Sequence, residues 1–193
     1  MSATVLDNPL APISIGAVPI NGEALYEVVN GQRLELPPVG AYSSWIATRL
    51  LVALHHYTVD AKIGTAVGET LFILDEVLDL RRRPDVALVL AERWPIDREP
   101  PVGDWSIVPD VAIEVAGRRD LLEEAYIKMQ EYFRYGVRQV WLVLPATQQI
   151  AVHTPTEGRI WSANEELDGG QLLPGFRLRV GDLFRAGASI VKS

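Results

Sequence analysis

The sequence predicts an α/β domain, and three observations predict it. Residues 109–144 show strand, helix and strand patterns in the order a parallel β-α-β unit needs. Asn30-Gly31 separates two short alternating runs, the strongest local signal for a hairpin with a type I′ turn. Several further apolar runs of strand length are bounded by Gly, Pro or Asp. At 193 residues with 48% hydrophobic content, the chain matches one domain with a packed core.

Residues 1–21 are small, apolar and proline-containing without periodicity, so they read as a loosely ordered arm; 22–190 read as one domain. The hairpin spans Leu25–Val29 and Gln32–Leu36, carries Glu27 in its first strand, and ends at Pro37-Pro38. A helix is expected from Ala41 to about Ile63, with Tyr42, Trp45, Ile46, Arg49, Leu50, Ala53, His56 and Tyr57 recurring at three and four and Gly64 as the stop. Thr65–Leu74 reads as one strand, Asp75-Glu76 as a turn, and Val77–Arg83 as a continuation into a second strand. Pro84-Asp85 opens the short apolar strand Val86–Leu90. Residues 91–108 form a long loop in which Trp94 and Trp105 are either anchors or platforms for stacked bases.

In the β-α-β unit, period-two alternation puts Val111, Ile113 and Val115 on one face and Ala112, Glu114 and Ala116 on the other. Glu114 is thus an acid inside an apolar strand. Gly117-Arg118-Arg119 breaks the strand, and Asp120 with Glu123 makes an acidic capping box. Leu121, Leu122, Ala125, Tyr126, Met129, Tyr132 and Phe133 share one arc of the helix, with Lys128 at its edge. Gly136 stops the helix, and Gln139–Leu144 is an apolar run suited to a strand covered on both faces. Gln148–His153 and Arg159–Trp161 suggest a terminal hairpin; residues 172–176 and 180–184 form a capping tail.

The chain has no cysteine, which excludes disulfides, thiolate catalysis and cysteine zinc sites and fits a reducing, cytoplasmic setting. No apolar run is long enough for a membrane span, and the first residues lack the pattern of a secretion signal. A net charge of −7 argues against coating nucleic acid by bulk electrostatics. Arg81-Arg82-Arg83, Arg118-Arg119, Arg134 and Arg138 offer local basic surface, although a solvated face is the plainer reading of each. His55, His56 and His153 make no metal spacing, and there is no nucleophile elbow, phosphate-binding glycine loop or dinucleotide fingerprint.

Asp85, Glu114 and Lys128 remain. Charges in apolar strands persist when something compensates them. One reading has the acids capping backbone at strand ends or pairing with arginines. The other has two carboxylates, a strand carbonyl and waters holding Mg²⁺ or Mn²⁺, with the lysine beside a reacting phosphodiester.

The ordered set YEVVNGQRLELPP (26–38), RPDVALVL (83–90), VPDVAIEV (108–115), KMQEYFRYGV (128–137), VWLVL (140–144) and LLPGF (172–176) resembles the PD-(D/E)XK nuclease superfamily, and within it a bacterial restriction-endonuclease-like group. No single piece is specific; their order from Tyr26 to Phe184 is. The resemblance implies a central mixed sheet flanked by helices, with Asp85 as metal-binding aspartate and Glu114 as the second acid. In its simplest form the motif puts lysine where Ala116 stands; the resemblance implies that Lys128, on the following helix, takes that role. Glu27 matches an additional acid, with an exposed hairpin glutamate as the plain alternative. Pro109-Asp110 imitates the motif's name, but Asp110 is expected only to start the strand. Ala116–Arg119 and Leu144-Pro145 depart from the group's usual Ser-Pro-Ser-like tract and strand-closing acid.

Two functions follow. One is a metal-dependent endonuclease acting on DNA through Asp85, Glu114, Lys128 and Glu27, with Mg²⁺ or Mn²⁺ on Asp85 and Glu114. The other is a binding or assembly module that keeps the fold without cutting. The superfamily's habit implies a homodimer or higher homo-oligomer.

Overall fold

The computed structural model describes residues 24–117 and 122–190. The expected arm at 1–21, Arg118-Arg119, the Asp120 cap and Leu121 lie outside them. The chain opens with β1 (Tyr26–Val29) and β2 (Gln32–Glu35), followed by α1 (Ala41–Ala61). Then come β3 (Gly64–Gly68), β4 (Phe72–Asp75), β5 (Leu80–Arg82) and β6 (Val86–Leu90). The β-α-β unit is β7 (Val111–Val115), α2 (Leu122–Arg134) and β8 (Gln139–Leu144). β9 (Gln149–His153), β10 (Gly158–Trp161), β11 (Glu166–Asp168), β12 (Arg177–Arg179) and the one-turn α3 (Val180–Leu183) complete it.

Six strands form the central sheet in the order β10-β9-β8-β7-β6-β3. The β7–β8 pair is parallel, as a helical crossover requires, and the other neighbours are antiparallel. A second sheet, β2-β1-β5-β4, is antiparallel throughout. This is the mixed α/β architecture with an N-terminal hairpin that the sequence predicts.

Side-chain alternation explains the layers. On one face Val86, Leu88, Val111, Ile113 and Val115 pack with Ile46, Leu50 and Leu54 of α1 and with the C-terminal tail. On the other, Ala87, Val89, Ala112, Val140 and Leu142 pack with Met129 and Tyr132 of α2 and with Phe72, Leu74 and Leu80 of the second sheet. Glu114 belongs to this second face, so the strand's one acid points toward α2.

The hairpin turn has the positive φ angles of a type I′ turn, 51° at Asn30 and 72° at Gly31. Gly136 ends α2 at φ 93°, where Val137 N donates to Tyr132 O at 2.9 Å.

Four expectations change. α1 ends at Ala61, with Lys62 in the left-handed conformation, and Gly64 instead begins β3. Gly64 is needed there because a Cβ would stand 2.4 Å from Val89 O. Thr65–Leu74 is two strands in two sheets, because Glu69, at φ 53°, turns the chain and donates its N–H to Asp85 O. In the stretch from Val77, only Leu80–Arg82 is strand; the Asp75 carboxylate accepts from Val77 N and Leu78 N and holds both residues in the turn. Tyr126 is 53% exposed, since α2 buries Met129 and Tyr132 and Tyr126 lies at the margin of the apolar arc away from Lys128.

Trp105 is an anchor rather than a platform. It is 2% exposed, stacks on Phe72 at 5.7 Å, and exchanges backbone hydrogen bonds with Leu71 and Ile73. Trp94 sets its ring at 85° to that of Trp105 and donates Nε1–H to Arg98 O. Asp110 is wholly buried: it accepts Leu90 N at 2.8 Å and pairs with Arg93 and Arg138. It fastens the entry to β7, as its position at the strand start suggests.

Candidate active site

Antiparallel pairing sets Val86 opposite Ile113, so Asp85, one residue before β6, falls beside the end of β7. There Asp85 Oδ2 accepts the Val115 N–H at 2.6 Å. Glu114 precedes Val115 and turns to the α2 face, where the Tyr132 hydroxyl donates to Glu114 Oε1 at 2.8 Å. Lys128 lies one helical turn before Tyr132 on the same stripe. Its Nζ stands 3.9 Å from Glu114 Oε2 and 3.0 Å from Glu27 Oε1.

Glu27 arrives from the second sheet, where β1 pairs with β5. It is not an exposed hairpin glutamate: it is 2% exposed. Its Oε1 takes the Lys128 ammonium and the Arg83 N–H, and its Oε2 takes Arg82 Nη1 at 2.7 Å. The same guanidinium reaches Glu131 Oε2, with Nε at 2.7 Å. The chain thus brings Glu27, Asp85, Glu114 and Lys128 to one end of the central sheet.

The electrostatics follow from burial and these pairs. Desolvation pushes the Glu114 carboxyl up; Lys128 opposes that, Asp85 and Glu27 add to it, and the result is a pKa of about 7. Burial also disfavours the charged form of Glu27, but Lys128 and Arg82 outweigh it and hold the carboxyl below its usual range. For Lys128, burial works against the ammonium while Glu114 and Glu27 favour it, and the pKa ends above the usual value. Lys128 is therefore an ammonium at neutral pH, a donor and a positive charge rather than a base.

Three participants escaped the sequence reading. Arg82 is the sharpest case, since the triple-arginine run reads as solvated surface, yet its side chain is only 7% exposed. Period two in β5 carries the missing signal, because Leu80 and Arg82 share the buried face. Tyr132 reads in the sequence as one of the apolar residues of the helix, but its hydroxyl donates to Glu114. Glu131 and Tyr132 follow Lys128 at three and four, the spacing that brings helical side chains together. His55 and His56 are exposed on α1, and among the described residues no three His, Cys, Asp or Glu side chains are grouped to hold an ion.

A mixed sheet with acids at the adjoining ends of β6 and β7 and a lysine on the crossover helix defines a restriction-endonuclease-like protein. The model of the family Uma2, described as "Putative restriction endonuclease", matches residues 16–181, and the chain belongs to that family. Among solved structures, a crystal structure described as a putative nuclease from Anabaena variabilis is similar at 20% identity and a TM-score of 0.69. The match covers 82% of this chain and 89% of that one. No curated protein matches the chain.

Proposed function

We propose that this chain is a divalent-metal-dependent endonuclease that hydrolyses phosphodiester bonds in DNA. The observation that carries the reading is the Lys128 ammonium, held between Glu27 and Glu114 at the sheet end where Asp85 also lies. Family membership supports a nuclease-like activity.

The donor set fits a hard cation. Asp85 and Glu114 both supply carboxylate oxygens; the Asp85 charge adds to the cost of charging Glu114, and Lys128 alone does not offset the burial of Glu114. Glu27 is not a ligand in this reading, because Lys128, Arg83 N–H and Arg82 occupy both its oxygens. Backbone carbonyls and waters would complete the shell, the surroundings Mg²⁺ prefers. The cation, when bound, would polarise the phosphate and lower the pKa of a bound water.

The chain's own groups supply the rest. Lys128 donates to the attacking water or a phosphate oxygen and places positive charge where negative charge develops. Glu27 fixes the direction of that ammonium. Tyr132 fixes the Glu114 carboxylate by its hydrogen bond.

The test is cleavage of supercoiled and single-stranded DNA with Mg²⁺, Mn²⁺ or EDTA, comparing wild type with Asp85→Ala and Lys128→Ala. The expected result is metal-dependent nicking, reduced about 10²- to 10³-fold in Lys128→Ala, the range seen when a charge-stabilising donor is removed, and lost in Asp85→Ala with its cation ligand. No cleavage by folded wild-type protein with either metal would favour the non-cutting binding module. Equal cleavage by all three proteins would place the chemistry elsewhere.

A further inference from the structure

Arg82 stands outside the proposed reacting groups, yet among the described residues its side chain is more enclosed than that of Lys128. Its side chain is 7% exposed and spans two carboxylates from different elements. One is Glu27 on β1, at 2.7 Å from Nη1; the other is Glu131 on α2, at 2.7 Å from Nε and 2.5 Å from Nη2. Glu131 lies one turn from Lys128 on the same helix. Arg82 therefore grips both the helix that carries the lysine and the carboxylate that receives it.

A lysine ammonium sits on a flexible stem and goes where the nearest negative charge is. Here it has two candidates, Glu27 at 3.0 Å and Glu114 at 3.9 Å. The shorter distance exists because Glu27 is immobilised: a planar guanidinium holds one oxygen while the Arg83 N–H and Lys128 share the other. Were Glu27 released, the ammonium would settle on Glu114, where a cation would otherwise bind.

We propose that Arg82 is a positioning residue that, through Glu27, holds the Lys128 ammonium back from Glu114 and so keeps that ammonium from competing with a divalent cation for the Glu114 carboxylate. The proposal rests on the metal-dependent reading above, but its first readout needs neither metal nor cleavage. Lys62, Lys128 and Lys192 are the chain's lysines. In ¹⁵N-labelled protein a held ammonium gives its own NMR correlation, while a freely exchanging one does not. Wild type is expected to show a Lys128 signal that Lys128→Met removes. Arg82→Met, checked for folding by circular dichroism, should shift or abolish it; Glu27→Gln should do the same, and the double variant should go no further.

The second readout is Mn²⁺ titration calorimetry. Arg82→Met should weaken Mn²⁺ binding about tenfold, the lower end of the usual effect of outer-shell residues. Adding Lys128→Met to Arg82→Met should recover that loss, because the competing ammonium is gone. An unchanged Lys128 signal in folded Arg82→Met overturns the proposal. So does a loss of Mn²⁺ affinity that removal of Lys128 leaves in place, since that marks Arg82 as packing alone. If wild type binds no Mn²⁺, the metal-dependent reading fails and the held-ammonium signal alone decides whether Arg82 positions Lys128.

Discussion

Glu114 ties the stability of the protein to its candidate site. Its carboxyl has an ordinary value of 4.5 and a folded value of about 7. Between those pH values the folded chain keeps a proton that the unfolded chain releases. Unfolding free energy therefore falls as pH rises through this window, by at most about 3 kcal/mol for a shift of this size. Glu27 works in the opposite sense: its lowered carboxyl contributes stability above the ordinary carboxylate range that is lost as pH falls. The two separate in the difference between wild type and Glu114→Gln. Urea midpoints from pH 5 to 8 should converge at the acid end and diverge toward pH 8, with Glu114→Gln the more stable there. Tyr132→Phe, which removes a hydrogen bond favouring the carboxylate, should enlarge the wild-type slope. Added Mg²⁺ should reverse it, since a cation takes the deprotonated form. A parallel pair of curves for wild type and Glu114→Gln would mean that Glu114 titrates normally.

At the scale of elements, local chemistry was legible wherever one residue type had one physical job. Asn30-Gly31 demanded a type I′ turn, and alternation sorted Val111, Ile113 and Val115 from Glu114. Chain breaks made by tertiary contacts were not legible. Glu69 takes a positive φ at a residue with no turn propensity to announce it, because its N–H is needed by Asp85 O. In the sequence Gly64 reads as a helix stop, whereas its lack of a side chain serves the pairing of β3 with β6. Gly64→Ala should accordingly cost about 1–3 kcal/mol, the usual range for overpacking, with no left-handed strain involved. Thermal unfolding would check this; a midpoint within a degree of wild type would show that the β3 edge simply moves away. Arg82 was missed for a related reason. A run of three arginines looks uniform in the sequence, and only the pairing of β5 between β1 and β4 decides which one is interior.

For the whole molecule, part of the candidate site is legible because Asp85 and Glu114 each break an apolar pattern and the lysine edges an amphipathic helix, whereas Glu27 enters only through the family resemblance. What the sequence withheld was the meeting of the two sheets. Glu27 belongs to the smaller sheet, Glu114 to the central one and Lys128 to the helix that covers it, so their distances depend on layer packing. That arrangement has a consequence for local opening. β1 meets β5 through the single register pair Val28–Arg81, and β2 is exposed along its length. The hairpin has little backbone pairing to hold it, so it should open at a lower free energy than β7 or β8, whose pairing is interior. Each opening would carry Glu27 away and disassemble the site while the central sheet stays closed. Amide hydrogen exchange can count those events: β1 should exchange well before β7 and β8, and faster still in Arg82→Met. Equal protection across all three strands would mean that the hairpin opens only with the whole protein. Otherwise the exchange rate of β1 reports how much of the time a natively folded molecule lacks its complete site.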